Sequence, residues 1–270
     1  MLENSNYLNN LSWKFSKSKT PYPFISIDNF LSQDVYKKIK EKFPSLDKFE
    51  YFGNIYQNNI GIRIAFSEFT NNLDPFWNEF GGYFLRDNFF YSFCDFYKDD
   101  IKYYYPKIYN QLKKRNFKIG ISGIDSFDNY DVLLDFHLGI NTPVTKMTSV
   151  RGPHLDNAKS LYTALCYLKD TDDSTDSGHF TIYDLKPFKL LKLDPGRAIN
   201  LSNVKKYTEI KYKSNNVATF LNTNKSIHGV TQREITTKIR KYFLFNAVFK
   251  EGIYKIPLAS RIANRINKFF

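Results

Sequence analysis

His154 and Asp156 stand two residues apart in Ser149-Val150-Arg151-Gly152-Pro153-His154-Leu155-Asp156-Asn157. In extended backbone, side chains at i and i+2 leave on one face, so this imidazole and this carboxylate can converge on one point. A second imidazole, His228, ends another apolar run, Lys225-Ser226-Ile227-His228-Gly229-Val230. Two histidines and one carboxylate on neighbouring strands make a facial set that suits non-haem Fe(II) and leaves coordination positions open. The other two histidines are His137 and His179. Asp135 and His137 form a rival pair at the same spacing, but in mid-strand, without a following loop to open a metal to substrate.

A cation follows His228 at the mouth of the last strand, Arg240-Lys241-Tyr242-Phe243-Leu244-Phe245-Asn246-Ala247-Val248-Phe249. An arginine there can point its planar fork into a barrel, a geometry that matches the distal carboxylate of a diacid. Lys238 and Lys241 compete for the role, although strand alternation turns Lys241 away from Arg240. Tyr167 shares a strand face with Leu161, Thr163 and Leu165, and its hydroxyl could reach the same carboxylate; taken alone, it would be a core residue.

The elements that must carry these residues change character along the chain. Residues 1–20 are polar and aperiodic, a loose arm. A short strand over Tyr22–Phe30 leads to a helix from about Gln33 to Phe43, with Ser32 as its N-cap and Val35, Ile39 and Phe43 on one stripe. Gly61–Phe66 is a further strand. From Asp74 to about Leu112 the chain is strongly aromatic, and Phe76, Phe80, Phe84, Phe89 and Phe93 recur about once per turn, which predicts two or three helices laid against the outside of a sheet. Beyond Phe117 the texture turns to short extended runs punctuated by Gly, Pro, Asn and Asp. Strands are expected over Phe117–Ile124, Val132–Ile140, Thr148–Leu155, Leu161–Leu168, His179–Asp184, Lys206–Lys213, Val217–Leu221, Ser226–Val230 and Arg240–Phe249. Many short strands predict a sandwich or jelly roll, so the fold class is mainly β with α additions. One domain is expected over 21–250, with helical support about 32–115 and the jelly-roll core about 117–250. Residues 170–178 read as an exposed acidic loop. In the basic tail, 251–270, a short amphipathic helix would dock on the helical layer, or less favourably make peripheral contact with a membrane surface.

With 42% hydrophobic residues, 26 Phe and 20 Tyr, the composition excludes disorder. No apolar run is long enough to span a bilayer, and no secretory leader is recognisable at the start. Cys94 and Cys166 are too few and too far apart for a disulfide framework or zinc cluster, so a cytoplasmic location is expected. The net charge of +12 is spread along the chain, which argues for a solubilising surface and disfavours a nucleic-acid partner.

The ordered set Gly152-Pro153-His154-Leu155-Asp156-Asn157, Ala164-Leu165-Cys166-Tyr167-Leu168-Lys169, Gly178-His179-Phe180-Thr181-Ile182-Tyr183, Asn216-Val217-Ala218-Thr219-Phe220, Ser226-Ile227-His228-Gly229-Val230 and Arg240 resembles the Fe(II)/2-oxoglutarate-dependent dioxygenases, especially the prolyl-hydroxylase-like branch. The resemblance is concentrated in residues 150–250. It implies a double-stranded β-helix (jelly-roll) core with N-terminal helices packed on one sheet, and Fe(II) held by His154, Asp156 and His228. It also implies 2-oxoglutarate chelated to the metal with its C5 carboxylate on Arg240 and Tyr167, and Thr163 as a secondary cofactor contact. The reaction implied is hydroxylation of an unactivated C–H with O2, releasing succinate and CO2. His179 departs from the pattern, as does a long interval before Arg240, which leaves Lys238 open as the anchor. A small-molecule, sugar or peptide substrate is expected, and neither its identity nor the oligomeric state is fixed. The competing readings are a cupin-like metal-dependent oxygenase or isomerase that does not use 2-oxoglutarate, and a non-enzymatic β-sandwich binding module.

Overall fold

The computed structural model describes residues 17–69, 73–186 and 198–254. Most of the expected N-terminal arm and the expected tail helix lie outside the described residues.

Ten strands and six helices appear among them, a mixed α/β fold. In chain order they are β1 (Phe24–Asp28), α1 (Gln33–Lys42), α2 (Asp47–Glu50), β2 (Gly61–Ala65), α3 (Phe76–Phe84), α4 (Asp87–Phe96), α5 (Lys98–Tyr104) and α6 (Pro106–Lys114). There follow β3 (Ile119–Ile121), β4 (Val132–Asn141), β5 (Ser160–Leu168), β6 (Phe180–Leu185), β7 (Val204–Ile210), β8 (Ser214–Leu221), β9 (His228–Val230) and β10 (Arg240–Phe249). The larger sheet has seven strands in the order β1-β8-β5-β10-β4-β2, with β3 parallel beside β4; the smaller runs β7-β6-β9. No helix among the described residues is long and apolar enough to cross a membrane.

The alternation of β10 explains how the large sheet divides its surroundings. Phe243, Phe245 and Ala247 point outward into the main apolar core, while Tyr242 and Leu244 point inward to a second cluster shared with β6 and β7. On the outer face the helices lay their aromatic stripes across the strands. Phe84 meets Phe245 at 4.8 Å between ring centroids, Phe93 meets Tyr162 at 4.5 Å, and Phe80 meets Phe243 at 5.2 Å. Rings of this size bury the largest apolar areas available and hold the sheet from behind.

Several expectations need correction. The aromatic segment forms four helices, because the chain breaks at Arg86, which is extended, and at Tyr97, which leaves the helical region, with Pro106 opening the fourth. Neither of the first two breaks carries Gly or Pro. Ser32 occupies the N-cap of α1, yet its side chain makes no capping hydrogen bond. Residues 148–155 do not form a strand; Thr148 and His154 make only isolated bridges. Pro153 lacks an N–H and Gly152 gains nothing from extended pairing, so the run cannot join a ladder. The expected strand 117–124 shrinks to three residues because Gly123, at φ +78°, turns the chain.

The acidic loop 170–178 is largely exposed, as expected, and its carboxylates pair with lysines: Asp170 with Lys241 at 2.8 Å, Asp176 with Lys211 at 3.0 Å, and Asp172 with Lys238. Asp173, within it, is buried.

Candidate metal centre and its cavity

His228 opens β9 and pairs with Ile182 of β6. Its backbone also exchanges two hydrogen bonds with His154, His154 N–H to the His228 carbonyl at 2.8 Å and the reverse at 3.0 Å. That pairing, and not a continuous strand, brings the two imidazoles together, their ring centroids 4.2 Å apart. Gly229 makes the approach possible, since a Cβ there would lie 2.9 Å from the Gly152 carbonyl.

The orientation of each ring follows from its backbone neighbour. His154 Nδ1 lies 2.9 Å from the Gly152 carbonyl oxygen, and His228 Nδ1 2.9 Å from that of Ser226. A carbonyl can only accept, so each Nδ1 carries the proton and each Nε2 keeps its lone pair. Both Nε2 atoms face Asp156 Oδ1, at 3.5 Å and 3.6 Å. Burial, reinforced by His228, pushes His154 down to about 4, so the ring is neutral at physiological pH. Burial works to raise the Asp156 carboxyl, but attraction to the imidazoles, in whichever of them gains a second proton, outweighs it and draws the group well below the usual carboxylate range. The ligand atoms of His154, Asp156 and His228 all lie within 4.8 Å of one another. Two imidazole nitrogens and a carboxylate oxygen at one point are a donor set for a divalent cation.

Asp156 is itself held. Thr163 donates from Oγ1 to Asp156 Oδ2 at 2.9 Å, Asn222 Nδ2 donates to Thr163 Oγ1 at 3.1 Å, and Tyr254 Oη donates to the Asp156 backbone carbonyl at 3.1 Å. Thr163 also lines the cavity, but its hydroxyl is engaged by the carboxylate. Such partners fix the carboxylate and leave Oδ1 facing the two Nε2 atoms.

A cavity of about 680 Å³ joins His154, Asp156, His228, Thr163, Tyr167 and Arg240. Arg240 is buried between two aromatic faces, its guanidinium 4.5 Å from the Tyr167 ring centroid and 4.4 Å from that of Tyr212. One nitrogen, Nη1, donates to the Gly178 carbonyl. Nη2 and the Tyr167 hydroxyl are buried with no hydrogen-bond partner among the described residues. Burial pushes the Tyr167 hydroxyl up to about 12 in spite of Arg240, so it keeps its proton and remains a donor. Two unmet donors, one of them charged, fit a carboxylate in the same cavity as the triad.

The remaining candidates sit elsewhere. Lys238 and Lys241 turn to Asp172 and Asp170 of the acidic loop. His137 pairs with Asp135 at 2.8 Å on β4, apart from the triad. His179 is buried, and its Nδ1 accepts from the Tyr212 backbone N–H at 3.3 Å, which steadies the ring stacked on Arg240. Sequence reasoning missed Arg63, Arg151, Tyr242 and Asn246, which also line the cavity. Gly139, inside an apolar strand, was the available signal: a Cβ there would lie 2.3 Å from the Tyr242 ring, so a large neighbour had to cross it.

No family model and no curated protein matches the chain. Among solved structures it is similar to a prolyl 4-hydroxylase from Phytophthora capsici (12% identity, TM-score 0.46), covering 90% of this chain and 66% of that one. A prolyl-4-hydroxylase from Pseudomonas putida is similar at 10% identity and TM-score 0.41, over 84% of this chain and 93% of that one. HygX from Streptomyces hygroscopicus, solved with nickel and 2-oxoglutarate bound, is similar at 11% identity and TM-score 0.41, over 84% and 83%. The chain thus spans just under two-thirds of the Phytophthora protein. Scores and identities this low leave the chemistry to be read from the site itself.

Proposed function

We propose that the chain is an Fe(II)- and 2-oxoglutarate-dependent dioxygenase that hydroxylates an unactivated C–H of its substrate, on a double-stranded β-helix core. One observation carries the reading: three converging ligand atoms share a cavity with a buried, half-satisfied arginine and an unmet tyrosine hydroxyl. His154, Asp156 and His228 would hold the ion, and Arg240 with Tyr167 would hold the far carboxylate of the co-substrate. The bound pair supplies the oxidising chemistry, consuming O2 and releasing succinate and CO2. The chain's own part is positioning. The Gly152 and Ser226 carbonyls orient the imidazoles, Thr163 and Asn222 orient the carboxylate, and the Tyr167 and Tyr212 rings hold the Arg240 fork. Thr163 acts on Asp156 in this reading, and not on the co-substrate.

Purified protein supplied with Fe(II), O2 and 2-oxoglutarate should release succinate, slowly without substrate and faster with it. Metal uptake without any succinate, across a substrate screen, would favour a cupin-like oxygenase or isomerase, which has no use for Arg240. Absence of metal uptake would favour a binding module.

A further inference from the structure

Among the described residues, three arginines, Arg63, Arg151 and Arg240, line the cavity together with one carboxylate, Asp156. A divalent ion and a dianionic co-substrate cancel each other, so loading the site leaves the basic character of that lining unchanged. Arg240 is committed at the buried end. Arg63 and Arg151 are exposed, line the same cavity, and lie close enough to Asp156 and to each other for each to feel those charges.

Arg63 is placed by the register of the large sheet. It stands on the edge strand β2 opposite Gly139 of β4, and Tyr242 of β10 stands opposite Gly139 on the other side. Because Gly139 has no side chain, the Tyr242 ring spreads across β4 toward Arg63. Arg63 Nε donates to Tyr242 Oη at 3.4 Å, and the guanidinium lies 6.0 Å from that ring's centroid. This is its only hydrogen bond among the described residues, so both Nη groups are left to other partners. The nearby Asp135 also acts on Arg63 electrostatically, but its carboxylate is engaged by His137 at 2.8 Å. A cation braced on an aromatic ring at a ligand cavity, with its fork unspent, is built to receive a planar or tetrahedral oxyanion.

We propose that the substrate carries an oxyanion, a carboxylate or a phosphate ester, and that Arg63 and Arg151 grip it at the cavity while the rest of the molecule reaches toward the triad. This assignment of substrate class rests on the oxygenase reading. It places specificity on two residues outside both the metal ligands and the co-substrate anchor.

The test is calorimetric titration, under argon, of protein loaded with Mn(II) and 2-oxoglutarate, and in parallel of the metal-free chain. Matched probes are glycerol 3-phosphate against glycerol, and benzoate against benzamide; the two pairs separate a phosphate preference from a carboxylate preference. In at least one pair the anionic member should bind about tenfold or more tightly than its neutral partner, as expected for a charge-assisted contact. The preference should weaken at high salt and shrink in Arg63→Gln and in Arg151→Gln, with Arg63→Lys intermediate. Metal stoichiometry and 2-oxoglutarate affinity should be unchanged in all three variants. Equal binding of anionic and neutral members, or a preference untouched in both glutamine variants, overturns the proposal. Should the chain take up neither metal nor 2-oxoglutarate while the Arg63-dependent preference persists in the metal-free protein, the anion site stands and the oxygenase reading falls.

Discussion

On the outer face of the seven-stranded sheet, β10 places Phe243, Phe245 and Ala247 into an aromatic core sealed by α3 and α4; on the inner face, it places Arg240, Tyr242, Leu244 and Asn246 along the cavity. The outer face is closed mainly by ring-on-ring contacts at about 5 Å, such as Phe89 on Phe245 at 5.3 Å, where volume and fit decide the packing. The inner face keeps Tyr167 Oη, Arg240 Nη2 and Asn246 Oδ1 buried without partners among the described residues. Each such group costs about 1–3 kcal/mol, a cost that a bound ligand can relieve and an apolar core never could. The same strands therefore do two jobs, and substitutions should separate them.

The largest expected effect is on the inner face. His154→Ala and His228→Ala should each abolish metal uptake and metal-dependent succinate formation, with the circular-dichroism spectrum of the metal-free protein retained. On the outer face, Phe245→Ala should cost about 3–5 kcal/mol in urea denaturation, the usual loss for emptying a packed aromatic site. The fraction that stays folded should bind metal with wild-type stoichiometry. A change in metal affinity there would mean that the two faces are coupled.

Next come the co-substrate contacts. Arg240→Ala should weaken 2-oxoglutarate binding about ten- to a hundredfold, since a hydrogen bond to a charged group is worth about 1.5–3 kcal/mol, and Tyr167→Phe about fivefold. Metal stoichiometry should hold in both, and unchanged 2-oxoglutarate affinity in Arg240→Ala would put the anchor elsewhere.

The smallest effect concerns His179, beneath Tyr212. Burial lowers its pKa from the ordinary 6.5, so as pH falls the unfolded chain takes up this proton first. Its contribution to stability is present above that value and drains away as pH falls toward the lowered one. His179→Gln should flatten the decline of melting temperature between about pH 7 and pH 5, read by thermal denaturation.

What the sequence disclosed depended on how local the cause was. The alternation of Arg240–Phe249 is written in adjacent residues, and the structure places β10 at those bounds. The pairing of His154 and Asp156 was legible from spacing, although the backbone reaches it through the His154–His228 bridge after Gly152-Pro153 prevents a strand. The helix breaks at Arg86 and Tyr97 carry no turn residue, because packing against the sheet sets them. Arg63 was invisible for a related reason: its meeting with Tyr242 depends on the register of β2, β4 and β10. Lys238, which stands close to Arg240 in the sequence, pairs with Asp172 of the acidic loop, a contact that no local pattern announces.

Anaerobic titration with Fe(II) and then 2-oxoglutarate, in wild type and Asp156→Ala, bears most directly on the converging triad. The expected result is one ion per chain, one 2-oxoglutarate bound only when the ion is present, and loss of both in Asp156→Ala. Iron binding that Asp156→Ala leaves intact, or 2-oxoglutarate binding indifferent to the metal, would contradict a shared centre at His154, Asp156 and His228.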